Sequence, residues 1–223
     1  MLFLDTANIK QIKHAEQTGI IQGVTTNPTI LLKENIQHET IIKDILQATS
    51  GIVFVQTIGE TTTEIIEDAT VILETFQDKR VALKIPAHLD GIQAIKELKT
   101  TYPDVAVLGT AIYATEQNLL AALAGADYVA PYINRMQNNR IDAYNVIAET
   151  RKIYDDQKLQ TKILAASFKN TGQIIETLSK GAHTVTIPYE LLVAMANKEL
   201  ALGAIKQFNK DANTLLREGD QHE

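Results

Sequence analysis

The sequence predicts an α/β fold, a (β/α)8 TIM barrel with an extra C-terminal helix, on three observations. Eight short β-type runs alternate with amphipathic segments along the chain. Most of those runs are nearly continuous in apolar residues, as parallel strands covered on both faces are. No Pro/Gly/Ser-rich linker or low-complexity stretch breaks the alternation across the 223 residues. Eight β-α units close most economically into a barrel, and a doubly wound open sheet is the other arrangement they allow. A single domain over 1–223 is expected, since barrels of this length commonly form one unit.

The runs are LFLDT (2–6), GVTT (23–26), IVFVQT (52–57), RVALKIP (80–86), VAVLGT (105–110), DYVAP (127–131), KILAAS (162–167) and TVTIP (184–188). Between the third and fourth, Ile65, Ala69, Ile72, Leu73 and Phe76 recur at three- and four-residue steps behind Thr61 and Glu64, a capping-box pair, which predicts a helix over 61–77. Over 88–101, Leu89, Ile92, Ile95 and Leu98 form one stripe. Helices over 115–124 and 170–180 should stop at Gly125 and Gly181, where glycine can take the left-handed conformation. The last helix, about 199–217, carries Ala201, Ile205, Phe208, Ala212 and Leu215 on one face, which can pack on the barrel or on a neighbouring subunit.

Hydrophobic residues make up 45% of the chain, enough for a real core, and the net charge of −6 argues against a nucleic-acid partner, which calls for basic patches. No apolar run approaches the roughly 18 residues of a membrane span. The opening MLFLDTANIK lacks a basic leader followed by an apolar stretch, so a cytoplasmic protein is expected. Cysteine is absent, which excludes disulfides and thiolate chemistry.

Lys84 breaks the pattern of RVALKIP, where Val81, Ala82, Leu83 and Ile85 suit a buried strand and Pro86 ends it. A charged amine sealed among apolar groups costs several kcal/mol unless it is paired or loses its proton. One reading packs the stem and lets the amine reach water. The other makes Lys84 a nucleophile, because burial favours the neutral amine that can attack a carbonyl. Barrel active sites lie where strands end. There the chain offers Asp5, Thr25 with Asn27, Gln56, Lys84, Thr110, Tyr132 and Ser167, polar groups from seven of eight strands. Asp5 would either cap the helix beginning near Asn8 or act on protons and hydroxyls. His14, His38, His88, His183 and His222 show no metal-ligand spacing, so no protein-held metal is expected, and no nucleotide-binding glycine loop or nucleophile elbow is present.

The motifs LDTAN (4–8), GVTTNPT (23–29), VALKIP (81–86), LGTAIY (108–113), YVAPYINR (128–135) and ILAASFK (163–169) resemble the small transaldolase family, especially its fructose-6-phosphate aldolase branch, from Met1 to about Gln207. Transaldolases of the family typically carry glutamate at the place of Gln56, an asparagine-containing motif at the place of LGTAIY, and phenylalanine at the place of Tyr132. All three positions here follow the aldolase pattern.

The resemblance implies a cofactor-free Schiff-base aldolase that cleaves fructose 6-phosphate reversibly to dihydroxyacetone and glyceraldehyde 3-phosphate, with transaldolase as the alternative. It implies that Lys84 forms the imine, and that Tyr132 with a water held by Gln56 and Thr110 handles the protons. Asp5, Thr25 and Asn27 would orient hydroxyls and the lysine, and Arg135 and Ser167 would hold the phosphate. Arg135 without the motif would read as an ordinary surface arginine. The partners implied are a sugar phosphate and further copies of the chain, in a pentamer or decamer.

Overall fold

The computed structural model describes residues 2–219. The chain divides into two compact units, Met1–Tyr189 and Glu190–Glu223. The first holds eight parallel strands that pair in sequence order, with β8 closing onto β1. They are β1 (Leu2–Asp5), β2 (Ile21–Thr25), β3 (Ile52–Gln56), β4 (Val81–Pro86), β5 (Val107–Ile112), β6 (Tyr128–Pro131), β7 (Lys162–Ala165) and β8 (Thr184–Ile187). Every predicted strand is present, with ends displaced by a few residues at most, and the open-sheet alternative is excluded by closure.

One or two helices follow each strand in chain order. α1 (Ile9–Glu16) follows β1, and α2 (Pro28–Lys33) and α3 (His38–Ala48) follow β2. α4 (Thr62–Phe76), α5 (Leu89–Thr101) and α6 (Thr115–Ala124) follow β3, β4 and β5. α7 (Ile133–Asn138) and α8 (Ala143–Gln157) follow β6, and α9 (Thr171–Ser179) follows β7. α10 (Tyr189–Ala196) and α11 (Glu199–Gly219) come last.

The capping box of α4 forms as expected, with the Thr61 side chain on the Glu64 amide and the Glu64 carboxylate on the Thr61 amide. Gly125 and Gly181 take φ of 104° and 106°, as helix stops in the left-handed region do. One stripe residue departs from expectation. Leu89 is 74% exposed, because the start of α5 presses on the end of β4 through Gly91 instead. A Cβ at Gly91 would lie 1.8 Å from the Pro86 carbonyl oxygen, so only glycine permits that approach. In the second unit α11 runs as predicted, and the face bearing Ile205, Phe208 and Leu215 is exposed. Among the described residues, no helix is long and apolar enough to cross a membrane.

The barrel interior is filled by Phe3, Phe54, Ala82, Leu108, Ala130 and Leu164, one from each of six strands. Side chains alternate along a strand with period two. The next inward position after each of these is therefore Asp5, Gln56, Lys84, Thr110, Tyr132 and Ala166. The apolar layer is the floor beneath the polar rim, and the two are one pattern.

Candidate active site

Both faces of β4 are buried, with Val81, Leu83 and Ile85 covered like Ala82. Lys84 is 4% exposed, so its amine does not escape to bulk water as a snorkelling lysine would. Its Nζ donates to the Thr26 carbonyl oxygen at 2.9 Å, and the side chain opens onto a cavity of about 400 Å³ at the C-terminal end of the barrel. Asp5, Asn27, Tyr132, Arg135 and Ser167 line the same cavity. An amine with one protein acceptor among the described residues and an open side is placed to meet a carbonyl.

Asp5 is not a helix cap. Asn8 caps α1, its Oδ1 accepting from the amides of Lys10 and Gln11, which leaves the Asp5 carboxylate to the cavity. Burial pushes the Asp5 carboxyl above its ordinary range, while Lys84, a hydrogen bond from Thr25, Lys33 and Arg135 pull it back. Thr25 Oγ1 donates to Asp5 Oδ1 at 2.8 Å and also meets Thr186 Oγ1 at 2.7 Å. Thr186 lies on β8, the one strand to which no polar rim residue was assigned from sequence. Asn27 caps α2 through its Oδ1, which accepts from the Ile30 amide at 2.9 Å, so its amide NH2 is the end left for a ligand.

Across the cavity, the Tyr132 and Thr110 hydroxyls are 2.9 Å apart. Thr110 precedes an irregularity in the β5–β6 register between Gly109 and Ile112, where Ala111 takes a φ of 56°. A bulge of this kind re-aims strand side chains next to a site. Tyr132 starts α7, and its pairing with Ala166 extends the β6–β7 ladder to the rim. Arg135, one turn along α7, lays its guanidinium 5.1 Å from the Tyr132 ring centroid and donates to Tyr113 Oη at 3.4 Å. That bond is the main influence holding Arg135 above its already high ordinary value, and it outweighs the partial burial that lowers it. Ser167 has a φ of 66°, and its carbonyl accepts from the Asn134 amide at 2.8 Å.

Of the nine residues singled out from the sequence, six line the cavity. Two more, Thr25 and Thr110, are hydrogen-bonded to residues that line it. Gln56 is the exception. It stands in register with Lys84, yet it lines an adjacent hollow of about 300 Å³ with Pro28, Leu31 and Ile58. Lys33, Asn134 and Lys169 line the cavity without having been anticipated. The cavity thus gathers Lys33, Lys84, Arg135 and Lys169 around one carboxylate, a local excess of positive charge in a chain of net charge −6. Among the described residues no group of three or more His, Cys, Asp or Glu side chains is placed to hold a metal ion.

The model of the transaldolase/fructose-6-phosphate aldolase family matches residues 2–222. The chain belongs to that family. A probable transaldolase of Streptococcus pyogenes serotype M2 (strain MGAS10270) is similar to it, 36% identical over 209 residues, which is 94% of this chain and 96% of the relative. Probable transaldolases of serotype M5 (strain Manfredo) and serotype M1 of the same species are 35% identical over the same share of each chain. The substrates of this family are sugar phosphates.

Proposed function

We propose that this family member is a Schiff-base aldolase that cleaves fructose 6-phosphate. The observation that carries the reading is the Tyr132–Thr110 hydroxyl pair on the cavity that holds Lys84. The Lys84 nitrogen adds to the C2 carbonyl carbon, and loss of water leaves an iminium. Removal of the C4 hydroxyl proton then breaks the C3–C4 bond. Its electron pair passes to the iminium, forming an enamine, and glyceraldehyde 3-phosphate departs. Protonation at C3 restores the iminium, and water releases dihydroxyacetone and the free amine. The iminium is the electron sink, so no cofactor enters the proposal.

Tyr132 is assigned the proton transfers, because one phenolic oxygen both donates and accepts. Thr110 holds the partner water, on the strength of its bond to Tyr132. Gln56 is assigned the same water on the family pattern alone. Asp5, Thr25 and Asn27 orient the sugar hydroxyls, and Arg135 with Ser167 takes the phosphate, a geometry that a guanidinium's parallel N–H groups suit. The chain acts in the cytoplasm as a homo-oligomer, a pentamer or decamer, a reading supported by the family resemblance and by the exposed apolar face of α11.

The second reading is a transaldolase, which keeps the three-carbon enamine for a second sugar phosphate. The names of the similar relatives favour it. Incubation with fructose 6-phosphate, with and without erythrose 4-phosphate, separates the two. Free dihydroxyacetone without acceptor is the expected outcome. Fast formation of sedoheptulose 7-phosphate with no dihydroxyacetone in its absence would establish the transaldolase. Borohydride added to either mixture should trap one adduct per chain on Lys84, and Lys84→Met should abolish both adduct and turnover. An adduct on another lysine would overturn the Schiff-base assignment under both readings.

A further inference from the structure

Tyr113 touches both halves of the site and has no part in the chemistry described above. It follows β5 directly, two residues past the left-handed Ala111. Its amide donates to Gln117 Oε1 at 2.9 Å, and Gln117 Nε2 donates to the Ala87 carbonyl at 3.1 Å, just past the end of β4. The Tyr113 backbone is therefore tied to the end of the strand that carries Lys84. Its ring meets the Tyr132 ring edge-on, with centroids 5.7 Å apart and planes at 68°. Its hydroxyl accepts from Arg135 at 3.4 Å, while Arg135 stacks over the Tyr132 face at 5.1 Å. The three groups form a closed triangle.

We propose that Tyr113 is a positioning residue that presets Arg135 for an anionic phosphate ester and locks that guanidinium to the face of Tyr132. The proposal rests on the reading of Arg135 as phosphate ligand and Tyr132 as proton carrier. Arginine has five N–H donors, so a bidentate phosphate leaves others for the tyrosine, and the two contacts do not compete. A long side chain loses conformational freedom when it docks on a ligand, and holding it beforehand lowers that cost. The cation over the Tyr132 ring is attracted to its π face. A phosphate arriving on Arg135 neutralises that cation, so Tyr132 experiences a different field with a phosphorylated substrate than with an unphosphorylated one.

The test compares fructose 6-phosphate with unphosphorylated fructose in Tyr113→Phe, Tyr113→Leu, Arg135→Ala and the Tyr113→Phe/Arg135→Ala double variant. Tyr113→Phe removes the hydroxyl and keeps the ring edge. It should raise KM for fructose 6-phosphate about two- to fivefold, the range for one weak hydrogen bond, and affect fructose far less. In the Arg135→Ala background the same change should add nothing, because coupled residues are not additive. Tyr113→Leu also removes the ring edge, and should lower kcat for both substrates and shift the pH profile of kcat. An equal effect of Tyr113→Phe on both substrates, or one that persists without Arg135, would overturn the proposal. If Arg135→Ala discriminates between the substrates while Tyr113→Phe matches the wild type, the positioning role alone fails. If Arg135→Ala does not discriminate, the assignment of Arg135 fails and takes the positioning role with it.

Discussion

Asp5 shows how a buried carboxyl, proposed above to orient the sugar hydroxyls, costs the fold stability. Its carboxyl holds its proton to higher pH in the folded state, chiefly because burial disfavours the charge. The folded chain therefore binds more protons than the unfolded chain from the ordinary value of 3.8 up to the folded one. Stability falls as pH rises through that window, and near neutrality the fold carries the cost. Asp5→Asn keeps the shape and the oxygen that accepts from Thr25. It should melt higher than the wild type near pH 7, with the gain shrinking as the pH is lowered toward 3.8, and it should lose roughly a hundredfold in kcat as a proton or hydroxyl partner is removed. Equal melting temperatures near neutrality would mean that attraction to Lys84 fully offsets burial. At this scale the sequence was legible where a residue violated its surroundings, as Lys84 does in an apolar strand. Thr186 was not legible, because threonine is an ordinary strand former and nothing marks the one that meets Thr25. Arg135 was legible only through its motif, since an arginine in a polar stretch otherwise reads as surface.

Among elements, the strands could be read because each is an apolar run bounded by turn residues, and α4, α5 and α11 because an apolar stripe repeats at helical spacing within them. α2, α3, α7, α8 and α10 are not singled out by the sequence, and for α2 and α7 the reason is length. Six residues give less than two turns, too few for a period to show. Both nevertheless position the site. Asn27 and Pro28 start α2 with a cap and a preset φ, which brings Lys33 to the cavity. Tyr132 starts α7, which brings Asn134, Arg135 and Asn138 there. The register irregularity at Ala111 was equally invisible, since alanine in a strand announces no left-handed φ. The location of Gln56 has a similar origin. Strand alternation predicts its inward face, while the neighbouring hollow formed with α2 residues depends on how the following helix lies.

For the whole molecule, the distribution of charge matters more than its sum. A chain of net charge −6 would repel a sugar phosphate on average, yet the cavity presents Lys33, Lys84, Arg135 and Lys169 against Asp5 alone. A cleft of one sign focuses the field and raises the local concentration of an oppositely charged substrate. Salt screens such interactions, with a Debye length of about 10 Å at 0.1 M and about 3 Å at 1 M. The value of kcat/KM for fructose 6-phosphate should therefore fall several-fold between about 0.02 and about 0.5 M KCl, while that for fructose stays nearly constant. Lys33→Gln with Lys169→Gln should flatten the slope for the phosphorylated substrate and lower its low-salt value, without changing the fructose curve. Arg135 remains in that variant, so the proposed phosphate ligand is intact and only the surrounding field is reduced. A salt slope equal to that of the wild type would show that Arg135 and Lys84 supply the whole attraction, and that the two outer lysines serve only to solvate the rim. A slope of the same size for fructose would trace the effect to the protein rather than to its substrate's charge.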